Sequence, residues 1–427
     1  MVIFLLIVLA LLCTSLICWG MLRADRMYQF PFLAGAVFGG WVFPQLVGLS
    51  NSDEIPTGAL QKTLLMTILC AACCYLGHIA NKRPLRSFAW QFDGRKLLRA
   101  ATVLSLCGAY FYYEMSLLAE TATAENGGGW TGIITIFVFF SSMVTVGLVL
   151  ALVVHLNKPS RWSYMIIIFD LCLYFDRIVM NGRRAAMVEL FVIAGLTLWF
   201  YRRKVVPRWL MLIMLVFGSL VINSIGDHRS AVVGQDAQGF DAVAKIDFIG
   251  NLESLFNHGG PELTNAAYII EAVDKNMTFD LGLSHWNGFV NAYVPGQLVG
   301  ADLKRSIMLD LQSAAYSEFS YTPSFGSTVT GLSDAFASYW YFGALEFFFI
   351  GFVMAKLFRS GNIGNVVGQA LLMLVFVDAL QSITHTTDLF FVAWPKAFVF
   401  LMPALLYAKI KKIKRVDVPI NGAQQCG

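Results

Sequence analysis

From Val2 to Ala408 the sequence keeps returning to one pattern: an apolar stretch about as long as a bilayer is thick, then a short segment carrying lysine and arginine. Crossing a hydrocarbon layer takes about 20 helical residues. Stretches of that kind run over 2–22, 29–49, 62–80, 97–118, 132–156, 163–180, 185–201, 209–225, 334–357, 365–383 and 388–408. Lipid offers backbone groups no partner, so each stretch must pair its own N–H and C=O groups as a helix. The expectation is an all-α polytopic membrane protein with about eleven transmembrane helices and a large, partly helical outer loop. Composition fits: 57% of residues are hydrophobic and 14% charged, against about 25% charged in soluble domains. Met1 to Met21 lacks the basic n-region and small-residue cleavage site of a signal peptide, so it reads as a retained helix.

Basic residues orient the chain. Arg23 and Arg26; Lys82, Arg83, Arg86, Arg95, Lys96 and Arg99; Lys158 and Arg161; Arg202, Arg203, Lys204 and Arg208; Lys356 and Arg359; and Lys409, Lys411, Lys412, Lys414 and Arg415 all fall in alternate loops. By the positive-inside rule that side is the cytoplasm, which leaves the N-terminus outside and the C-terminus inside. The organisation expected is an N-terminal membrane region over 1–224 with about eight helices, an outer loop over 225–333, a C-terminal membrane region over 334–410 with about three helices, and a cytoplasmic tail over 411–427.

The outer loop is acidic and aromatic, with Trp286, Phe289, Tyr293, Phe319 and Tyr321 among its residues. Leu263, Ala266, Ala267, Ile270 and Val273 recur at helical spacing, as do Ile307, Met308 and Leu311, so helices are expected over 262–274 and 303–314. Cys70, Cys73 and Cys74 lie inside an apolar run, where cysteine serves as a small packing residue. The sequence points to no metal, disulfide framework or cofactor.

Four constellations could carry chemistry. The first is Asp176-Arg177 followed by Gly182-Arg183-Arg184, a short outer turn between the sixth and seventh stretches. Charges at membrane depth cost about 2.5–3.5 kcal/mol each on insertion scales, so they face a cavity or a partner. Arginine's planar fork suits phosphate oxygens, and Arg183 and Arg184 open a helix whose N–H groups favour an anion. This reads as a phosphate or diphosphate site; the plainer reading pairs these arginines with Asp170, Asp176 and Glu189. The second is Gly226-Asp227-His228-Arg229, which adds an arginine near the same face. The third is Asn257-His258-Gly259-Gly260-Pro261-Glu262. Histidine can remove a proton from a hydroxyl near neutral pH, although a lone loop histidine is more often a bystander. The fourth runs from Phe325 to Gly343 and includes Asp334, Tyr339, Trp340 and Tyr341. Its aromatics could stack on sugar rings or stand in the interfacial belt.

The many-helix plan with one late loop, the Gly182-Arg183-Arg184-Ala185 segment opening a helix, and the Gly326 to Gly343 stretch with its acidic residue, aromatics and Phe-Gly together resemble the Wzy-type polymerases of bacterial oligosaccharide repeat units. Here arginine stands in the Gly182 to Ala185 segment where that family commonly has serine, and Asp334 where it commonly has glutamate. The resemblance implies a multi-pass bacterial inner-membrane enzyme with a periplasmic loop. It would join undecaprenyl-diphosphate-linked oligosaccharides into O-antigen, capsule or exopolysaccharide. Arg177, Arg183, Arg184 and Arg229, with Asp334, Tyr339 and Trp340, would bind substrate. His258, Glu262 and Asp227 are the candidates for acid–base work. The bilayer, a chain-length regulator and a flippase are the implied partners, and nucleic acid is not. An O-antigen ligase, a transporter of lipid-linked sugars and a non-enzymatic assembly subunit are the rival readings. Three further charges attract notice: Lys396 is expected to pair with Glu346 or Asp378, since an unpaired buried charge is far costlier than a paired one.

Overall fold

The apolar stretches do form helices. In a computed structural model, α1 (Val2–Met21), α2 (Phe30–Val37), α3 (Phe43–Asn51), α4 (Thr57–Ala80), α5 (Gly94–Glu125), α6 (Ile133–Ser141), α7 (Met143–Asn157), α8 (Arg161–Val179) and α9 (Arg184–Arg202) precede the large loop. The loop contributes α10 (Phe248–His258), α11 (Pro261–Asn276), α12 (Leu283–Tyr293), α13 (Gly296–Val299) and α14 (Ala301–Ile307). The chain ends with α15 (Gly331–Tyr339), α16 (Ala344–Asn362), α17 (Val366–Thr384) and α18 (Asp388–Ala408). The structure describes residues 1–410 apart from 53–54, 86–87, 89, 126–132, 180–183, 212, 214–246, 311–318, 320 and 323–326. Most of the eighth stretch, the turn holding Arg183, the segment with Asp227, His228 and Arg229, and the tail lie outside the described residues.

Among the described residues, 8 segments are long and apolar enough to cross a membrane: α1, Phe30–Asn51 (α2 with α3), α4, Ile133–Asn157 (α6 with α7), Ala185–Arg202 in α9, Gly331–Asn362 (α15 with α16), α17 and α18. The chain is a helical membrane protein. α5 and α8 coincide with the fourth and sixth stretches and pack beside α7. They are helices of 32 and 19 residues with more polar side chains than the rest. Bilayer-facing character shows on α1, where Ile3, Phe4 and Leu11 are exposed.

Small residues bring the central helices together. A Cβ at Gly77 of α4 would lie 1.9 Å from the Phe348 carbonyl oxygen, and one at Gly351 of α16 would lie 2.3 Å from that of Cys74. The two backbones therefore touch, which is how helices pack where lipid supplies no hydrophobic drive. Cys70 and Cys74 are buried beside this contact as free thiols. Phe30–Asn51 is continuous but carries a π-helical turn at Phe38–Val42, just before Pro44. Proline cannot donate to the ladder, and a wider turn absorbs the missing bond. α15 and α16 are separated at Trp340, whose φ of 54° is left-handed, and by the 3₁₀ turn Trp340–Gly343.

The basic loops meet at one end. Arg26 stacks on Trp19, and Trp19 packs edge-on against His78. Arg359 donates to the His78 carbonyl, Arg203 to Asn362, and Arg208 to the Leu22 carbonyl. Asp93 and Ile410 exchange backbone bonds with Ala408 and Gln91. The loop helices sit at the other end. α11 docks on the start of α4, where Lys62 Nζ lies 2.9 Å from Glu271 and 2.6 Å from Asp274. The expected apolar face of α11 is buried, as are Tyr268 and Ile269, so this helix is packed rather than floating. The helix expected over 303–314 is shorter at its far end: α14 stops at Ile307, where Met308 turns extended, and the Asn287 side chain then donates to the Leu309 carbonyl and accepts from its N–H.

Candidate functional site

Among the described residues, a buried polar cluster at the loop end is built from α12, α15, α16 and the turn that opens α18. α15 is buried along nearly its whole length, because a Cβ at Gly331 would lie 1.8 Å from the Ser382 carbonyl at the end of α17. That close seat carries Asp334 inside, 7% exposed. Its Oδ2 accepts from the Thr387 backbone N–H at 2.8 Å and from the Thr387 hydroxyl at 2.6 Å. Thr387 is the N-cap residue of α18, so Asp334 caps that helix from a different element.

His285 on α12 completes the arrangement. Its Nε2 lies 2.8 Å from Thr387 Oγ1. The threonine hydroxyl's proton goes to Asp334, so Nε2–H donates to Oγ1. The same nitrogen is 3.8 Å from Asp334 Oδ2 and 3.5 Å from Glu346 Oε2. The ring packs edge-on against Phe391. Gly288, one turn further along α12, gives Asp388 its room: a Cβ there would lie 1.9 Å from Asp388 Oδ2. Burial works against a charged imidazole, but the Glu346, Asp334 and Asp388 carboxylates outweigh it and push the His285 pKa up to about 9. The imidazole is therefore a cation at neutral pH, held among three acids.

Three atoms of this cluster, His285 Nδ1, Glu346 Oε2 and Asp388 Oδ1, are buried without a hydrogen-bond partner in the protein. Such atoms are costly unless something satisfies them. With His285 protonated they are one donor and two carboxylate acceptors. A polyhydroxyl ligand offers both kinds of partner.

The arginine constellation has a different setting. Arg177 is 9% exposed and turned into the helix bundle. Its guanidinium lies 4.7 Å from the Tyr112 ring centre and 5.8 Å from that of Tyr174, and it donates to the Ser141 carbonyl at 3.0 Å. Its neighbours are engaged with each other: Tyr112 donates to Asp176, Tyr174 to Glu189, and Ser105 to Asp170. Arg184 opens α9, while Arg183 and Arg229 lie outside the described residues. Lys396 reaches Asp378 electrostatically, whereas Glu346 faces His285.

The remaining sequence candidates are spread over the loop end. His258 is the exposed last residue of α10, and Glu262 is half-buried in the first turn of α11. Asp227 lies outside the described residues. Tyr339 donates to the Leu281 carbonyl and Trp340 to Asp274, so both tie the exit turn to loop helices. Of the sequence candidates among the described residues, Asp334 alone belongs to the His285 cluster. His285 did not stand out from sequence. The available signal was a third histidine of the loop on an amphipathic helix, between Trp286 and the Gly-Leu-Ser of residues 282–284. Comparison with protein-family models, curated proteins and solved structures returns no match.

Proposed function

We propose that this protein is a membrane glycosyltransferase of the polymerase kind, joining oligosaccharide repeats carried on a polyprenyl diphosphate, with the acceptor bound at the His285 cluster. The reading takes the basic end as cytoplasmic, which puts the cluster and the loop helices on the outer, periplasmic side of a bacterial inner membrane. Its main support is the set of three buried atoms without partners, whose chemistry complements sugar hydroxyls. In the reaction an acceptor hydroxyl oxygen attacks the anomeric carbon of the donor sugar. The bond from that carbon to the diphosphate oxygen breaks, and the diphosphate leaves with the electron pair. The hydroxyl proton passes to a carboxylate, and Glu346 is the base this arrangement offers. His285, as a cation, orients Glu346 and Asp334 and steadies the charge. Arg183, Arg184 and Arg229 are the residues assigned to the leaving diphosphate, where stabilising developing charge has most value. Arg177 already has its partners and acts as a support.

A transporter of lipid-linked sugars is favoured by one observation, the polar side chains that continue into the bundle at Asp170, Glu189, Asp378 and Lys396. One experiment separates the readings. The purified protein is placed in lipid nanodiscs with a defined lipid-linked repeat, and separately in sealed proteoliposomes. Laddered products support the polymerase. A single transfer to lipid A core indicates a ligase, and unchanged substrate that has crossed the bilayer indicates a transporter; either overturns the proposal.

A further inference from the structure

The basic end holds a cavity of about 430 Å³ that the reaction proposed above does not use. It lies where α1, α4 and α16 end, beside the short segment that leads into α2. Trp19, Arg26, Tyr75, His78, Arg359 and Asn362 line it. Its charge is positive and uncompensated. Asp25 also borders it, but both its carboxylate oxygens are taken by Arg23, at 3.0 and 3.2 Å. Arg26 and Arg359 are left without an acidic partner among the described residues. Arg26 stacks over Trp19 at 4.7 Å and donates to the Trp19 carbonyl at a long 3.4 Å. Arg359 donates through Nη2 to the His78 carbonyl at 3.3 Å, while its Nη1 is buried with no partner in the protein. His78 Nδ1 is likewise buried and unpartnered. Two guanidinium groups converging on one cavity match the oxygens of a phosphate, which arginine engages through paired N–H bonds.

The walls also say what carries the phosphate. Ile79 lines the cavity and is 41% exposed, and Leu76, three residues earlier on the same face of α4, is 48% exposed. A free ion would leave them uncovered, whereas acyl chains would cover them. Basic pockets between helices at the positive end of a membrane protein suit anionic headgroups. We propose that this cavity binds the phosphate of an anionic phospholipid, with its acyl chains lying over Leu76 and Ile79.

The test uses the full chain purified in detergent, with thermal unfolding and native mass spectrometry as readouts. Phosphatidylglycerol should raise the unfolding temperature and remain bound, while phosphatidylcholine and inorganic phosphate at equal concentration should not. Arg26→Gln and Arg359→Gln should each weaken phosphatidylglycerol binding about tenfold, the scale of one charged hydrogen bond. Lys158→Gln, a surface charge at the same end, should leave binding unchanged. Equal stabilisation by phosphatidylcholine overturns the proposal, as does full stabilisation by inorganic phosphate alone. Unchanged binding in both folded arginine variants overturns it too. The lipid comparison on the unaltered protein stands even where an arginine variant fails to fold.

Discussion

His285 is the residue on which the chemistry turns, and its charge state makes it testable. Its folded-state pKa of about 9 lies above the ordinary 6.5. The stability it lends is therefore fully present below about pH 6.5 and is lost as pH rises through about 9. In thermal unfolding scans, the advantage of the unaltered protein over His285→Gln should shrink across that window. A difference that stays constant from pH 6 to 10 would mean the imidazole is not held as a cation. In polymer assays His285→Gln and Glu346→Gln should each cost about a hundredfold or more, the scale of a lost acid–base group. The arginines should divide. Arg177→Ala should lower protein yield and unfolding temperature, because it removes the contacts to Tyr112, Tyr174 and Ser141. Arg184→Ala should keep the fold and reduce polymer, and Arg184→Lys should reduce it too, because lysine lacks the bidentate fork. Normal polymer from the alanine variants at 183, 184 and 229 would place the diphosphate elsewhere.

At the scale of elements, one hydroxyl ties the far end of α12 to α18. Tyr293 donates to the Val392 carbonyl and accepts from the Lys396 N–H at 3.2 Å, next to Pro395. A proline inside a helix leaves a carbonyl without its ladder partner, and a side chain inserted there is a known companion of such breaks. Tyr293→Phe should cost about 1 kcal/mol, the usual net value of a hydrogen bond. It should also loosen α12, read as faster hydrogen exchange over 283–293 with α4 and α16 unaffected. Gly351→Leu should act on the bundle itself by pushing α16 off the Cys74 carbonyl, at a cost of at least the 1–3 kcal/mol roughly expected of an overpacked core. The same elements show what the sequence discloses. Most membrane helices were legible, because about 20 apolar residues in lipid have one outcome. The buried face of α11 was legible from its period. The candidate site was not. Asp334 drew notice for its position, but its partner Thr387 lies 53 residues away, and His285 lies 102 residues from Thr387. No local pattern records a contact made by three helix ends meeting. The break at Trp340 was hidden too, since a left-handed tryptophan is set by tertiary packing and not by propensity.

The whole molecule has two unlike ends, and the orientation follows from which one meets the cytoplasm. Arg26, Arg203, Arg208, Arg359 and Lys409 gather at one end through contacts among α1, α4, α9, α16 and the chain leaving α18. At the other end Lys62 is fixed among carboxylates under α11. Loops far apart in sequence thus share an end, so their charges add rather than cancel. A bias of this kind retains the basic end on the side of synthesis, because moving each lysine or arginine across the membrane opposes both lipid and potential. Reporter fusions after residues 90, 205 and 415 should therefore read cytoplasmic, and fusions after 55, 125 and 280 should read periplasmic. The fusions at 125 and 205 carry most weight. They bracket α8, a helix assigned to the membrane that carries Asp170, Asp176 and Arg177 and is not among the 8 long apolar segments. If α8 crosses, the signal at 205 matches that at 90. If it lies along the surface, 205 takes the sign of 125, the count of crossings before the loop changes by one, and the His285 cluster would have to face the cytoplasm. A lipid-linked substrate on the outer leaflet could not then reach it, and the glycosyltransferase reading would fall with the topology.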